Sequence, residues 1–256
     1  MFEFQIAVSE DNGKVAEKMF KELKSATADF ETITTSYSGS GKIYIVLACN
    51  DIEQSRLSFV ISDVISDMIS TFYKLEFIDK NLKIPIKDKT NLNAFKKALI
   101  AFDRETDKYI ISRALNIKKG VFIDSFYQFR LKSLRNKWLE IIKLANDNAS
   151  YLLCNDTFVD LLKFLIDNIE ISRGTVNVVK NEDDFILCDE EFNAIDESQC
   201  LLTQLEDKSE FNLIASLIAL SPKKINIYCS AFENNPTLTM LSQIFEKRVS
   251  IMPAQR

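Results

Sequence analysis

Residues 126–138 read FYQFRLKSLRNKW, four cations set among aromatic and aliphatic side chains in a chain whose formal net charge is −5. Projected onto one helix over about 122–148, at ~100° per residue, Tyr127, Leu131, Leu134, Trp138, Ile142, Ala145 and Ala149 align as one stripe. Phe122, Phe126 and Phe129 make a second stripe on another face. A helix apolar on two faces is sandwiched between other elements rather than laid on a surface. Arg130 then projects between the stripes, with Lys137 one heptad further along the same line. A guanidinium in a crowded interior needs a carboxylate, because unpaired burial is costly. Asp124, Asp156, Asp160 and Asp167 are the acids within reach on or near neighbouring helices. The pattern predicts an internal ion pair at Arg130 that orients two helices, in preference to an anion or phosphoryl-ligand site centred on that residue. Trp138, the single tryptophan, belongs to the core stripe.

Outward from this helix the periodicity changes on both sides. FEFQIAV at 2–8 alternates with a period of two, and 13–24 follow as an amphipathic helix. FETITTSYSGSGKIYIVLAC then reads as a hairpin around a Gly-Ser-Gly turn, giving a small β-α-β-β unit. From Asp51 the period becomes helical, with a break at Pro85, a helix through Leu92–Ile110, a stop at Gly120, and another helix over about 156–170. Past Gly174, TVNVVK and FILCD flank NEDD as a second hairpin. EFNLIASLIAL is a helix ended by Ser221-Pro222, KINIYCS a strand, PTLTMLSQIFEK a helix and RVSIM a strand, so the chain ends as β-α-β with parallel strands. The expectation is an α+β protein: an N-terminal α+β unit over 1–50, a helical region over 51–172 and a C-terminal α/β unit over 173–256.

Composition narrows the chemistry. A hydrophobic fraction of 46% and a charged fraction of 27% are those of a globular chain of one large or two modest domains. With no histidine, Ser-His, Cys-His and His-metal mechanisms are excluded. The five glycines build no phosphate-cradling loop. Cys49, Cys154, Cys188, Cys200 and Cys229 show no metal-binding spacing and read as reduced thiols. No apolar run approaches a bilayer span and no secretory leader is visible, so a cytoplasmic location is expected. These features predict a protein that is not an enzyme, with no cofactor and no metal.

Charge is uneven. Acids dominate 182–210, which reads as a solvated face, whereas Arg113, Lys118, Lys119, Arg130, Lys132, Arg135 and Lys137 concentrate near the middle. A nucleic-acid reading would use Arg130, Lys132, Arg135 and Lys137. However, Lys132 and Arg135 point away from the Arg130 line, and the acidic chain opposes bulk phosphate binding. Lys223 and Lys224 lie between a helix end and a strand, where they favour the helix dipole.

FIDSFYQFRLK, DTFVDLLKFLIDN, the NVV and DDFILCDEE pieces, LIASLIALSPKKINIY and IFEKRVSI together resemble the YtxC-like sporulation proteins of endospore-forming bacteria. The likeness runs over about 120–252 in the family's order, while residues 1–119 share only its layout. Arg130 and Lys132 match the FRLK piece, and Lys223 and Lys224 the SPKK piece. The resemblance implies a cytoplasmic sporulation factor working through an unidentified protein partner. It carries over no catalytic residue, cofactor or ligand.

Overall fold

The computed structural model describes residues 1–84, 89–118, 120–147, 155–181, 184–195, 213–229 and 235–253. The expected break at Pro85 and the tip of the NEDD turn lie outside these residues. In chain order the elements begin with β1 (Phe2–Ser9), α1 (Gly13–Ala26), β2 (Thr32–Gly39) and β3 (Lys42–Cys49). α2 (Gln54–Met68) continues through a π turn, Ile69–Tyr73, into α3 (Lys74–Asn81); α4 (Lys89–Ala101) and α5 (Arg104–Ala114) follow. Next come β4 (Gly120–Phe122), α6 (Ile123–Ser125), a second π turn at Phe126–Arg130, α7 (Lys132–Asp147) and α8 (Asn155–Asp167). The chain closes with β5 (Arg173–Asn181), β6 (Asp184–Cys188), α9 (Leu213–Leu220), β7 (Pro222–Tyr228), α10 (Pro236–Phe245) and β8 (Val249–Met252). With two mixed sheets of four strands, ordered β2-β3-β1-β4 and β6-β5-β7-β8, the fold is α+β.

The chain forms two compact units, each discontinuous: 1–80 with 105–142, and 81–104 with 143–256. The helical stretch at 51–172 is thus shared between them.

In the first unit the period-two pattern does what it predicts. Phe2, Phe4, Ile6 and Val8 of β1 pair with Cys49, Leu47, Ile45 and Ile43 of β3, and all of these but Ile43 are buried. α1 covers this face with Ala16, Met19 and Leu23, and α2 packs on α1. β4 is an unpredicted strand, since GVF is too short for a period to show. It runs parallel to β1, with Gln5 opposite Gly120. Gly120 has φ +152°, and a Cβ there would lie 2.6 Å from the Gln5 carbonyl oxygen, so only glycine admits this close approach.

In the second unit β5, β7 and β8 are parallel, β6 returns antiparallel to β5, and α4, α8, α9 and α10 pack among themselves. Val176, Val178, Ile225 and Ile227 are fully buried on one sheet face. α9 ends where expected: Ser221 takes φ +40° and its hydroxyl donates to Glu170 O at 2.8 Å, while Pro222 starts β7. Asn235 caps α10 by accepting from the N–H groups of Thr237 and Leu238.

The close approach at Gly120 gives a paired test. Gly120→Ala should lower unfolding free energy by about 2 kcal/mol or more, whereas Gly39→Ala, with open space around its Cβ position, should leave the urea midpoint unchanged or slightly raised. Equal effects at the two positions would contradict the β1–β4 pairing.

Candidate functional site

The segment at 120–138 does not run as one helix. α6 is followed by the π turn, Leu131 has non-helical φ −102° and ψ 27°, and α7 restarts at Lys132. A π turn takes i→i+5 hydrogen bonds, so residues before it are out of phase with a 3.6-residue projection. The main stripe survives because it lies mostly beyond the break: Leu131, Leu134, Trp138, Ile142 and Ala145 are buried. The second stripe does not, for Phe126 is buried but Phe129 is 71% exposed.

Arg130 is correspondingly exposed and makes no ion pair or hydrogen bond with the described residues, which overturns the expected internal pair. Of the acids that were its expected partners, Asp124 is engaged elsewhere, Asp160 and Asp167 are exposed, and the side chain of Asp156 lies outside the described residues. Phe129, Arg130 and Lys132 instead form a short exposed segment, the basic and aromatic surface of the π turn and the start of α7.

A buried ion pair does form, between α3 and α5. Lys74 Nζ meets Asp107 Oδ2 at 2.7 Å, with side chains 3% and 0% exposed. The same carboxylate accepts the Trp138 indole N–H at 2.8 Å, and half-buried Lys137 reaches its other oxygen at 3.4 Å. Lys74 also lies 5.6 Å from the Trp138 ring centroid, within cation–π range. Three donors on one carboxylate are what a buried charge requires, since desolvation otherwise exceeds the Coulombic gain. The pattern did carry a signal. Lys74 and Asp107 each stand four residues before a buried isoleucine, Ile78 and Ile111, where an amphipathic stripe calls for an apolar residue.

A second carboxylate joins the other end of this segment to the sheet. Asp124 accepts Ser9 N–H at 2.8 Å, the Asn12 side-chain amide at 2.6 Å and the Tyr73 hydroxyl at 3.1 Å. Burial, reinforced by the Asp124 charge, pushes the Tyr73 phenol far above its ordinary value, so it is a hydrogen-bond donor and not a proton source near neutrality. Tyr73 packs on Tyr127 with centroids 4.9 Å apart, and Tyr127 lies 6.4 Å from Trp138. Burial pushes the Tyr127 phenol up to about 12. The two π turns, which carry Tyr73 and Tyr127, therefore meet through tilted ring contact between the two carboxylates. Nearby, burial pulls Lys108 down, but Asp67 and Asp63 at 2.9 and 3.0 Å outweigh it and hold the ammonium above its usual value.

The four cations of the nucleic-acid reading are not presented together. Arg135 donates to Gln128 O at 2.6 Å and lies over the Tyr127 ring, and Lys137 serves Asp107; only Arg130 and Lys132 are exposed. Lys223 and Lys224 are exposed at the start of β7 in the second unit. In the acidic stretch, the described residues 184–195 act locally: Asp189 accepts from Glu191 and Asn193 N–H groups, and Glu190 accepts Thr175 N–H. Residues 196–210 of it lie outside the described residues, as do Cys154 and Cys200. Cys49 and Cys188 are buried, and burial first, then neighbouring carboxylates, pushes both thiols up, away from nucleophilic reactivity. Among the described residues no Cys, Asp and Glu side chains gather into a group able to hold a metal, and no helix is long and apolar enough to cross a membrane.

Replacing Asp107 by Asn should cost about 3 kcal/mol or more, because Lys74 would be left buried and uncompensated. Arg130→Met should change stability by less than about 0.5 kcal/mol. Urea unfolding followed by Trp138 fluorescence measures both. A large loss at Arg130 would restore the internal pair.

The profile of the YtxC-like family matches residues 52–250, more than three quarters of the chain. No curated protein and no solved structure matches it. The match begins at α2 and so takes in the helices before residue 120, beyond the motifs at 120–252 that carry the resemblance in the sequence. The chain belongs to the YtxC-like family.

Proposed function

We propose that this YtxC-like protein is a cytoplasmic sporulation factor that acts through protein contacts rather than catalysis, and that Phe129, Arg130 and Lys132 form part of the contact. The observation that carries the proposal is the exposure of Phe129 at 71%, flanked by exposed Arg130 and Lys132, on a turn that departs from the regular helix. A large aromatic at the surface loses hydrophobic stabilisation in the free protein and regains it in a complex, and aromatic and arginine side chains dominate interface energetics. The partner that fits is an apolar pocket rimmed by carboxylates. Family membership supports the sporulation role, and the six donors around Asp107 and Asp124 serve the fold.

The nucleic-acid reading is less well supported, because Arg135 and Lys137 are held by Gln128 and Asp107 and only two of the four cations face outward. An anion site centred on Arg130 is less well supported, because Arg130 and its neighbour Lys132 both stand exposed to solvent rather than in a buried cradle.

The test is a Phe129→Ala/Arg130→Glu double variant of a tagged chain in a sporulating endospore-former. Sporulation efficiency and recovery of a stoichiometric partner should both fall, while the purified variant unfolds within a few degrees of the parent. Normal sporulation by the variant, or recovery of the parent chain with no partner, would contradict the proposal.

A further inference from the structure

The four sheet edges among the described residues are unequal. β4, β6 and β8 are three, five and four residues long, and short edge strands are one of the usual protections against edge-to-edge pairing. β2 is eight residues, TITTSYSG, and pairs with β3 without interruption from Thr32–Cys49 to Gly39–Lys42. It contains no charged residue, no proline and no bulge, so these further protections are missing from the strand itself, and no described strand pairs with its outer edge. Its outer edge therefore offers a row of backbone donors and acceptors with nothing to repel a second strand.

The side chains of β2 are also open. Ile33, Thr35 and Tyr37 share the sheet face opposite α1, and all three are exposed, Ile33 at 70% and Tyr37 at 52%. Tyr37 is fixed across this face by stacking on Tyr44 at 4.9 Å and by accepting from the Gln5 amide at 2.7 Å. Antiparallel pairing of β2 with another β2 about a two-fold axis through Thr35 keeps the faces of the two sheets on the same sides. It places Ile33 opposite the partner's Tyr37, Tyr37 opposite the partner's Ile33, and Thr35 opposite its own symmetry mate. Aromatic–β-branched and Thr–Thr neighbours are favourable cross-strand pairs. One register thus satisfies the open edge and covers both exposed apolar side chains of the strand, twice, with no like charges opposed.

We infer that β2 is a self-association surface, through which a second copy of this chain adds antiparallel to make a continuous eight-stranded sheet. The inference does not depend on the proposed contact at Phe129, Arg130 and Lys132, which uses a different segment.

Sedimentation velocity of the full chain over a wide concentration range should show a monomer–dimer equilibrium. Thr35→Lys, at an exposed position, sets two ammonium groups against each other at the axis and should weaken association roughly fivefold or more without changing the far-ultraviolet circular dichroism or the thermal midpoint of the monomer. In the same register Thr35→Cys should give an oxidation-dependent covalent dimer, while Ser38→Cys, facing the partner's Thr32, should not. A chain that stays monomeric at every concentration, a dimer indifferent to Thr35→Lys, or equal cross-linking at positions 35 and 38 would overturn the inference.

Discussion

The Asp107 carboxylate is the constraint on which the first unit depends. It is fully buried, and three elements must come together to satisfy it: the start of α3 supplies Lys74, α5 supplies the carboxylate, and α7 supplies the indole of Trp138 and the ammonium of Lys137. None of these groups tolerates burial alone, so the pair sets the relative positions of the helices as firmly as apolar packing does. Trp138 has two duties here. Its ring lies in the core stripe, within edge contact of Phe77 at 5.9 Å, and its single N–H is spent on the carboxylate.

From that point the polar and aromatic groups run without a gap to the sheet. Trp138 leads to Tyr127, Tyr127 to Tyr73, and Tyr73 to Asp124, which holds the end of β1 through Ser9 and Asn12. Tyr73 and Tyr127 both sit in π turns, and a wider turn re-aims the side chains that follow it. In the second of these turns the consequence reaches the surface. Tyr127 is directed inward to the Tyr73 and Trp138 rings, and Phe129 and Arg130 are left outside. The same local geometry that completes the interior thus creates the exposed segment proposed as a contact.

The sequence made the elements legible where their period was sustained. The alternation of FEFQIAV, the turn at Ser40–Gly41, the Ser221-Pro222 stop and the β-α-β ending all appear as the pattern requires. The register of the first hairpin follows from the turn and the inward face together. What was not legible is instructive. A π turn leaves no mark in hydrophobic spacing, so a single helix drawn through 122–148 carries an error of phase into every residue before Leu131, and such a projection puts Arg130 inside. β4, three residues long, is too short to show a period. The true ionic pair was visible only as two charged residues, Lys74 and Asp107, each on the apolar stripe of its helix, and pairing them requires knowing which helices meet. Long-range partners are fixed by topology, which one sequence does not display.

The most direct measurement of the central claim is a double-mutant cycle on Lys74→Met and Asp107→Leu, read by equilibrium unfolding. If the carboxylate and ammonium satisfy each other in the interior, each single change is strongly destabilising and the double change is far less so than their sum, with a coupling of about 1.5 kcal/mol or more. Additive losses would mean that the two groups do not meet, and the polar centre of the first unit would have to be placed elsewhere.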